Sequence, residues 1–363
     1  MIFLKNLTLI LAIALSLTQL SHAQETVTPK IIWEVNKIEL GTILEEMGTQ
    51  VVEFRFTHTQ DSLFYIEKVW TDCGCTTVEY TQDTLEVGGK GRLQVSFDPA
   101  TAAGNFSRLV VVKGNLFETQ DTLYLEGTVI PYPQNPEREY PFRQGDIGLR
   151  LQKVNMGDVF TNEPKVKDFE IFNFSDQVLH ADSLTKFGPE YIQVRQIQQM
   201  IPSNDRGLIQ LIYSGAEKDD LGFFEDPMAI SWSDSITLQL DVVANVFQYF
   251  PPFSKEELGA VPNLALSTKE IDLKEISANS IQHEVVTLTN KGRQVLEILK
   301  IQGNCSCLKL ELPTTSVNPG ESIELKITFD PKGRKGIDQR NIYIFSNDPL
   351  NPVQGLVIKS RIK

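Results

Sequence analysis

Histidine and cysteine are scarce in this chain, and their scarcity limits the chemistry it can perform. Of 363 residues, only four are histidine and four are cysteine. His58, His180 and His283 lie in three different parts of the chain, and no catalytic cluster forms around them. A lone histidine on a strand pattern is more often a hydrogen-bonded or solvated strand residue than a ligand. We therefore predict that the protein is not an enzyme and holds no cofactor.

Positive charge is also in short supply. Lysine and arginine together number 34, aspartate and glutamate 47, and the formal net charge is −13. The sequence has no basic stripe with interleaved aromatic residues, the pattern with which proteins neutralise phosphates. We predict that nucleic acid is not a partner. The acidic balance is ordinary for a soluble exported protein and indicates no cationic ligand.

Long apolar runs are missing beyond the amino terminus. There Lys5 precedes an apolar run at 7–17, and Ser21-His22-Ala23 follows with the small residues of a cleavage site. The run is shorter than the roughly 20 residues that a bilayer span requires. We predict that residues 1–23 are a signal peptide cleaved after Ala23 and that the mature chain has no transmembrane segment. The protein is then exported, to the periplasm or to the cell surface.

Convincing helical periodicity is absent, and the alternation typical of strands takes its place. Apolar and polar residues alternate at 52–57, 93–97 and 323–329. Turn signals such as Asn318-Pro319-Gly320-Glu321 separate these runs at short intervals. The pattern predicts an all-β protein built of β-sandwiches of about 100 residues each.

The four cysteines reveal an internal repeat. They form two Cys-x-Cys pairs, Cys73-Gly74-Cys75 and Cys305-Ser306-Cys307, offset by 305 − 73 = 232 residues. Phe97-Asp98-Pro99 maps onto Phe329-Asp330-Pro331 and Asn115 onto Asn347 by the same offset. Half of the offset relates Gly41 to Gly157, in a middle segment without cysteine. The sequence therefore predicts three tandem copies of one module, of which the middle copy is degenerate.

Two proline-rich stretches set the predicted domain bounds, because such stretches make semi-rigid spacers. The predicted order after the signal peptide is a sandwich at 31–130 with Cys-Gly-Cys, a linker at 131–147, a sandwich at 148–248 without cysteine, a linker at 249–262, and a sandwich at 263–363 with Cys-Ser-Cys.

The cysteine pairs suit more than one chemistry. In a regular strand, residues i and i+2 lie roughly 6.6 Å apart, at the upper edge of the about 4.4–6.8 Å between Cα atoms that a disulfide tolerates. A bridge therefore requires a kink, which Gly74 permits more easily than Ser306. We prefer the disulfides Cys73–Cys75 and Cys305–Cys307, because paired thiols of exported proteins usually end oxidised.

Three alternatives to these structural disulfides stay open. The first is a pair of inert buried thiols, and the second is a redox-active disulfide. The third is metal binding by Cys73, Cys75, Cys305 and Cys307, which suits Cu(I), a soft ion that two thiolates hold. Zinc fits less well, because a closed zinc site normally takes four ligands and each module offers two.

Two other motifs suggest ligands, but the repeat explains them. Gly88-Gly89-Lys90-Gly91 resembles a phosphate cradle, yet it occupies the repeat position of Pro319-Gly320-Glu321-Ser322, a turn between strands. Asp98-Pro99 and Asp330-Pro331 lack the spaced acidic series of a calcium loop, and an acid before proline ordinarily begins a turn.

The order of these features resembles a known bacterial family. It is carried by Leu40-Gly41-Thr42-Ile43, Asp72-Cys73-Gly74-Cys75-Thr76, the strand ending in Phe97-Asp98-Pro99, and Leu125-Glu126-Gly127, with Cys305-Ser306-Cys307 and Asn347-Asp348-Pro349 in the last module. Together they are similar to the domain-of-unknown-function family numbered 1573. The resemblance implies immunoglobulin-like sandwiches related to the major sperm protein type, in exported proteins of Bacteroidetes-like bacteria, with no established activity.

These observations lead to a functional prediction. We predict an exported, non-enzymatic binding or scaffolding protein of the bacterial cell envelope, whose partner is a protein or another envelope component reached through loops and edge strands. The alternative is a thiol protein that uses the two Cys-x-Cys pairs for Cu(I) binding or redox exchange. A hydrolase is the weakest option.

Overall fold

The computed structural model describes residues 31–116 and 120–363. The chain divides into two compact units, residues 1–132 and 133–363, and each is described by itself over its described residues. The predicted signal peptide at 1–23 lies outside the described residues. Across the described ranges, no helix is long and apolar enough to cross a membrane.

The described part of the first unit is built of strands with two short 3₁₀ turns, Glu45–Met47 and Pro99–Thr101. The strands are β1 Ile31–Trp33, β2 Lys37–Leu44, β3 Gln50–His58, β4 Ile66–Thr71, β5 Thr76–Tyr80, β6 Lys90–Phe97, β7 Gly104–Gly114 and β8 Asp121–Ile130. One sheet has the order β1-β3-β6-β5 and the other β2-β8-β7-β4.

The alternation along these strands makes the core of the first unit. Phe54 and Phe56 on β3 are buried while Arg55 between them is exposed, because successive side chains of a strand point to opposite faces. Leu93, Val95 and Phe97 on β6 point to the same interior. Removing one such ring, as in Phe54→Ala, costs about 3–5 kcal/mol of stability.

The second unit contains two further sheet pairs. Its strands are β9 Phe142–Gln144, β10 Ile147–Leu149, β11 Lys153–Phe160, β12 Lys165–Asn173, β13 Leu179–His180, β14 Thr185–Phe187, β15 Ile192–Gln196, β16 Met200–Ile201, β17 Asp205–Tyr213, β18 Gly222–Ser233, β19 Ile236–Phe247, β20 Leu264–Leu266, β21 Glu270–Ile276, β22 Gln282–Asn290, β23 Leu296–Gly303, β24 Leu308–Glu311, β25 Ser316–Val317, β26 Ser322–Phe329, β27 Gly336–Ser346 and β28 Val353–Ile362. The one-turn helices are α1 Pro136–Glu139, α2 Gly215–Lys218 and α3 Lys255–Leu258, with a 3₁₀ turn at Ala181–Ser183.

The strand order repeats from one sheet pair to the next. The middle pair is β15-β17-β12-β10-β9 with β11-β19-β18-β14, and the last is β20-β22-β26-β24 with β21-β28-β27-β23-β25. The short strands β13 and β16 pair separately. Two facing, mainly antiparallel sheets of this kind are an immunoglobulin-like sandwich, and the predicted all-β, immunoglobulin-like class is confirmed. The division into three tandem domains with the bounds above stays a prediction.

The motif around Gly41 and Gly157 is a shared bulge. β2 runs parallel to β8 with a register shift between Glu39 and Thr42, and β11 runs parallel to β19 with a shift between Asn155 and Gly157. Gly41 has φ 69° and Gly157 has φ 71°, a conformation that glycine adopts without steric cost. The half-offset relation in the sequence therefore corresponds to one local structure.

The stretch after residue 132, part of the predicted linker, contains secondary structure. It holds α1 and β9, and β9 pairs with β10 of the middle sandwich. Tyr140 is fully buried and donates a hydrogen bond of 2.8 Å to Oε1 of Glu170, whose carboxylate also pairs with Arg206 at 2.7 Å and Arg150 at 2.7 Å. A proline count does not reveal these partners, because they lie on β12, β17 and the segment after β10.

The middle and last sandwiches of the second unit are in contact. The side-chain amide of Gln302 on β23 accepts a hydrogen bond from the N–H of Phe223 at 2.9 Å and donates one to the carbonyl oxygen of Phe223 at 3.0 Å. Lys300 pairs with Asp220 at 2.7 Å. The ring of Phe223 lies 4.6 Å from that of Tyr343. The second predicted linker contains α3, and Val261 near its end is buried.

Candidate functional site

Each Cys-x-Cys segment lies where the chain crosses from one sheet to the other. Cys73 and Cys75 lie between the edge strands β4 and β5, and Cys305 and Cys307 between β23 and β24. The Cα atoms of each pair are 5.2 Å apart and the sulfur atoms are within bonding distance. The cysteines are half-buried, whereas the residue between them is exposed. This geometry is compatible with the preferred disulfides, which stay a prediction.

Backbone hydrogen bonds hold both crossovers in the same way. In the first sandwich the carbonyl of Cys73 accepts from Thr76 N–H at 3.2 Å, and that of Cys75 accepts from Asp98 N–H at 2.9 Å. In the last sandwich Cys305 accepts from Leu308 at 3.4 Å and Cys307 from Asp330 at 2.9 Å. The crossover is thus tied to the turn that follows β6 or β26.

The middle sandwich makes the same crossover without sulfur. At the half offset, Pro189 replaces the first cysteine and Tyr191 the second. The carbonyl of Pro189 accepts from Ile192 N–H at 3.2 Å, and that of Tyr191 from Ser214 N–H at 2.9 Å. The backbone geometry of this turn therefore does not depend on a disulfide.

A polar cluster surrounds Tyr191 in place of the cysteine pair. Tyr191 and Tyr213 donate to the two carboxylate oxygens of Asp226, each at 2.8 Å, and Lys218 donates to the Tyr191 oxygen at 2.7 Å. Burial, followed by the hydrogen bond to Asp226, raises the pKa of both tyrosines. The sequence analysis does not predict this cluster; the half offset applied to Cys73 and Cys75 locates Pro189 and Tyr191, but not their partners.

The two cysteine pairs have different surroundings. The N–H of Cys75 donates to Sγ of Cys73 at 3.1 Å. The pairing of β4 with β7 ends at Thr71 and Val110, and beyond it Asp72 Oδ1 accepts the N–H of Leu109 at 3.0 Å, so that Cys73 and Arg108 lie next to this contact. The Nε of Arg108 is buried and finds no hydrogen-bond acceptor in the described part of the chain.

The arginine of the last sandwich has a carboxylate partner. Arg340 occupies the repeat position of Arg108, and it pairs with Asp338, donating from Nε at 2.7 Å. Phe106 stands at the repeat position of Asp338, and the Arg108 guanidinium lies 5.8 Å from its ring centre. The charge beside Cys73 thus lacks the carboxylate that its counterpart has.

Metal binding finds no further ligands. Among residues 31–116 and 120–363, no three histidine, cysteine, aspartate or glutamate side chains are grouped to hold a metal ion. Cu(I) binds thiolate, so the Cu(I) alternative requires each pair to be reduced first. It remains a prediction without a supporting contact.

His58 has a structural role that the repeat makes visible. It is fully buried, and its Nε2 lies 2.5 Å from the carbonyl oxygen of Ser62. Asn290 is 232 residues later, and its side chain donates to the carbonyl of Gln294 at 2.7 Å. Asn173, which ends β12 in the middle sandwich, donates in the same way to the carbonyl of Gln177 at 2.7 Å. The end of the strand therefore needs a polar side chain that bonds to the carbonyl four residues later.

The other ligand-like motifs are turns. Gly88 and Gly320 both have φ 79°, ahead of β6 and β26. The carboxylates of Asp98 and Asp330 each accept a backbone N–H two residues later at 3.0 Å. The turn interpretation explains both.

One open groove occurs at the same place on the first and last sandwiches. It lies on the outer side of β3 and β6 with a volume of about 440 Å³, and on the outer side of β22 and β26 with about 700 Å³. Five lining positions correspond at the offset of 232, namely Arg55 with Thr287, Thr81 with Pro313, Lys90 with Ser322, Gly91 with Ile323, and Arg92 with Glu324.

Solved structures with a similar fold include several sandwich proteins. The crystal structure of a protein of unknown function from Porphyromonas gingivalis is 15% identical with a TM-score of 0.44, covering 60% of this chain and 100% of that one. An I-band fragment of titin is 9% identical with a TM-score of 0.20, covering 93% and 99%. The periplasmic chaperone SfaE is 11% identical with a TM-score of 0.22, covering 60% and 99%.

The sequence comparison is more specific than these likenesses. No curated protein matches the chain. The profile of the family described as "Protein of unknown function (DUF1573)" matches residues 31–129 and 264–362, which are the two sandwiches that carry Cys-x-Cys. Because the two matches together cover more than half of the chain, this protein belongs to the DUF1573 family.

Proposed function

We propose that the protein is an exported, non-enzymatic binding and scaffolding protein of the bacterial cell envelope. The observation that carries the proposal is the groove that recurs on both family-matched sandwiches. The two grooves lie at five corresponding positions with different side chains, as expected of a duplicated binding module whose copies bind different segments.

The groove of the last sandwich offers backbone groups to a partner. β24 pairs only with Lys326–Phe329, so the amino-terminal half of β26 extends beyond it. The backbone N–H and C=O of Thr287 on β22 bond to Ser267, on the side away from β26. Glu324 is opposite Thr287 on β26, and its own N–H and C=O therefore point away from β22, toward the groove. In the first sandwich the N–H of Thr81 donates to the carbonyl oxygen of Arg92 at 3.0 Å, so the backbone group equivalent to that of Glu324 is already paired. Pro313 has no N–H with which to do so.

The occupant that fits this edge is an extended polypeptide segment of another envelope protein. Such a segment adds to a sheet edge through main-chain hydrogen bonds, while neighbouring pockets read its side chains. Scaffolding follows from the contact between the middle and last sandwiches, because the Gln302 and Lys300 contacts restrain their relative motion.

Photo-crosslinking in the native host tests the proposal. A photoreactive phenylalanine analogue replaces Glu324 in the last groove or, separately, Arg92 in the first. The matched control position is Ile337 on the other sheet, which is 83% exposed. Cell fractionation of the same strains locates the protein.

We expect light-dependent adducts of one defined protein mass from Glu324 or Arg92, in the envelope fraction, with none from Ile337. Adducts of equal pattern from Ile337, absence of adducts from both grooves, or recovery of the protein in the cytoplasm would contradict the proposal.

A further inference from the structure

We propose that Cys73 and Cys75 form a thiol–disulfide exchange site for a dithiol of another exported protein, whereas Cys305 and Cys307 form a structural bridge. This proposal goes beyond groove binding, because it concerns a different surface and requires a chemical step. Three observations support it. The first shows that the fold does not need the Cys73–Cys75 bridge, and the other two show how this pair differs from the last pair.

The first observation is that the fold does not need this bridge. The Pro189–Tyr191 crossover keeps both backbone hydrogen bonds of the Cys73–Cys75 crossover without sulfur. Opening the disulfide therefore leaves the turn held by Thr76 and Asp98. A site that is reduced and oxidised in turn requires such tolerance.

The second observation is the hydrogen bond that reaches Cys73. The N–H of Cys75 donates to its sulfur at 3.1 Å, and a donor to sulfur favours the thiolate over the thiol. Thr76 Oγ1 lies 3.7 Å from the Cys75 sulfur, where either atom could be the donor. Cys73 is therefore the better leaving group of the two.

The third observation is the charge around the pair. Arg108 on β7 and Cys73 lie next to the contact between Leu109 and Asp72, and Nε of Arg108 is buried, where charge is screened less than in water. Asp72 and Asp98 also lie at this end of the sandwich, but both are exposed and their carboxylates accept the N–H of Leu109 and Ala100, each at 3.0 Å. The arginine thus favours a thiolate at Cys73.

The last pair has the opposite arrangement. Arg340 is paired with the buried Asp338, and Arg334 lies 3.7 Å from the same carboxylate. Asn304 stands where the first sandwich has Asp72, and the exposed Lys332 and Lys335 lie farther along the chain. Arg340 shares one carboxylate with Arg334, so its charge is compensated in part, whereas Arg108 has no carboxylate partner among the described residues.

The proposed exchange takes place in two steps and conserves electrons and protons. A thiolate of the partner attacks Sγ of Cys75, the Cys73–Cys75 bond breaks, and Cys73 leaves as a thiolate. The second thiolate of the partner then attacks the partner sulfur of the mixed disulfide and releases Cys75. The partner dithiol is oxidised by two electrons to a disulfide, the cysteine pair is reduced by two, and the two protons lost by the partner pass to Cys73 and Cys75.

The test uses two variants of residues 24–363, each of which lacks one of the two cysteine pairs. Cys305→Ser with Cys307→Ser leaves the first pair, and Cys73→Ser with Cys75→Ser leaves the last. Dithiothreitol serves as the dithiol, and the rate of reduction is followed by mass spectrometry of alkylated thiols. We expect the first pair to be reduced at least tenfold faster than the last. Equal rates, or a faster last pair, would overturn the proposal.

The pH profile of alkylation tests the charge argument. In the reduced protein, the rate at Cys73 should rise with a midpoint below the roughly 8.5 of an ordinary thiol, and Arg108→Gln should move that midpoint upward. As a positioning residue, Arg108 acts through Cys73, so a merely structural role would leave the profile unchanged.

The last sandwich supplies the reciprocal variant, in case Arg108→Gln does not fold. Asp338→Asn removes the carboxylate that pairs with Arg340 and should lower the midpoint at Cys305. An ordinary thiol profile at Cys73, or no shift from either substitution, would refute the assignment of Arg108.

Discussion

Gln302 holds the backbone of Phe223 through both ends of its side-chain amide. Its Oε1 accepts the Phe223 N–H at 2.9 Å and its Nε2 donates to the Phe223 carbonyl at 3.0 Å. The two residues belong to different sandwiches of the second unit. A side chain of the last sandwich thus supplies the pairing that a strand would supply, at the start of β18.

Gln302→Ala should therefore weaken the contact between these sandwiches. It removes both hydrogen bonds, which are exposed to water, at a cost of about 0.5–1.5 kcal/mol. Hydrogen exchange at the Phe223 amide measures the loss directly, and urea unfolding measures its effect on stability. Gln339→Ala is the control, because Gln339 is exposed on β27. Unchanged exchange at Phe223 would show that the contact is not formed in solution.

Substitutions at His58 should separate its structural role from any chemical one. His58→Asn should fold with a stability close to that of the natural chain, because asparagine fills the equivalent position as Asn290 and bonds to the carbonyl four residues later. His58→Ala should lose about 1–3 kcal/mol, because it removes the hydrogen bond to the Ser62 carbonyl and leaves a cavity where the fully buried imidazole packed. Thermal unfolding compares the two. Equal losses from both variants would contradict the equivalence with Asn290.

Replacing all four cysteines by serine should preserve the fold. The middle crossover keeps its backbone hydrogen bonds without sulfur, and closing so short a loop stabilises a protein by about 1–2 kcal/mol per disulfide in the chain-entropy description. Circular dichroism should show the same strand content, with a midpoint of urea unfolding that is only moderately lower. Loss of the folded state would mean that the sulfur atoms hold the crossover after all.

The stability of the second unit should fall in alkaline solution. The pKa values of Tyr191 and Tyr213 are raised, by burial first and then by the hydrogen bond to Asp226. A raised pKa means that the folded state keeps protons that the unfolded state loses, so the contribution is complete below the unfolded tyrosine value of about 10 and declines above it.

Urea unfolding between pH 8 and 11, with ultraviolet titration of the tyrosines, measures this dependence. Tyr213→Phe should reduce the alkaline decline, because phenylalanine does not ionise. Tyr124→Phe is the matched control, since Tyr124 is exposed on β8 of the other unit. An identical decline in both variants would place the cause elsewhere.

The repeat offset allowed much of the site to be located from the sequence. It related Gly41 to Gly157, identified the turns at Gly88 and Asp98, and led to the family resemblance, because each depends on residues close together in the chain. It did not reveal the Tyr191 cluster, whose partners Asp226 and Lys218 follow 35 and 27 residues later. Nor did it reveal the burial of Tyr140, whose hydroxyl donates to Glu170, 30 residues later in the chain.

The sequence by itself determined the class of the protein. Period-two alternation, turn residues and a 232-residue repeat specify sandwich modules, because strand faces and turns are set by neighbouring residues. The tertiary structure decided how the surroundings of the two cysteine pairs differ. Only the folded chain joins Leu109 to Asp72 beside Cys73, pairs Arg340 with Asp338, and shows Tyr191 holding the same crossover without sulfur. Charge and hydrogen bonding at a sulfur atom depend on strands that are distant in sequence, and no local pattern records them.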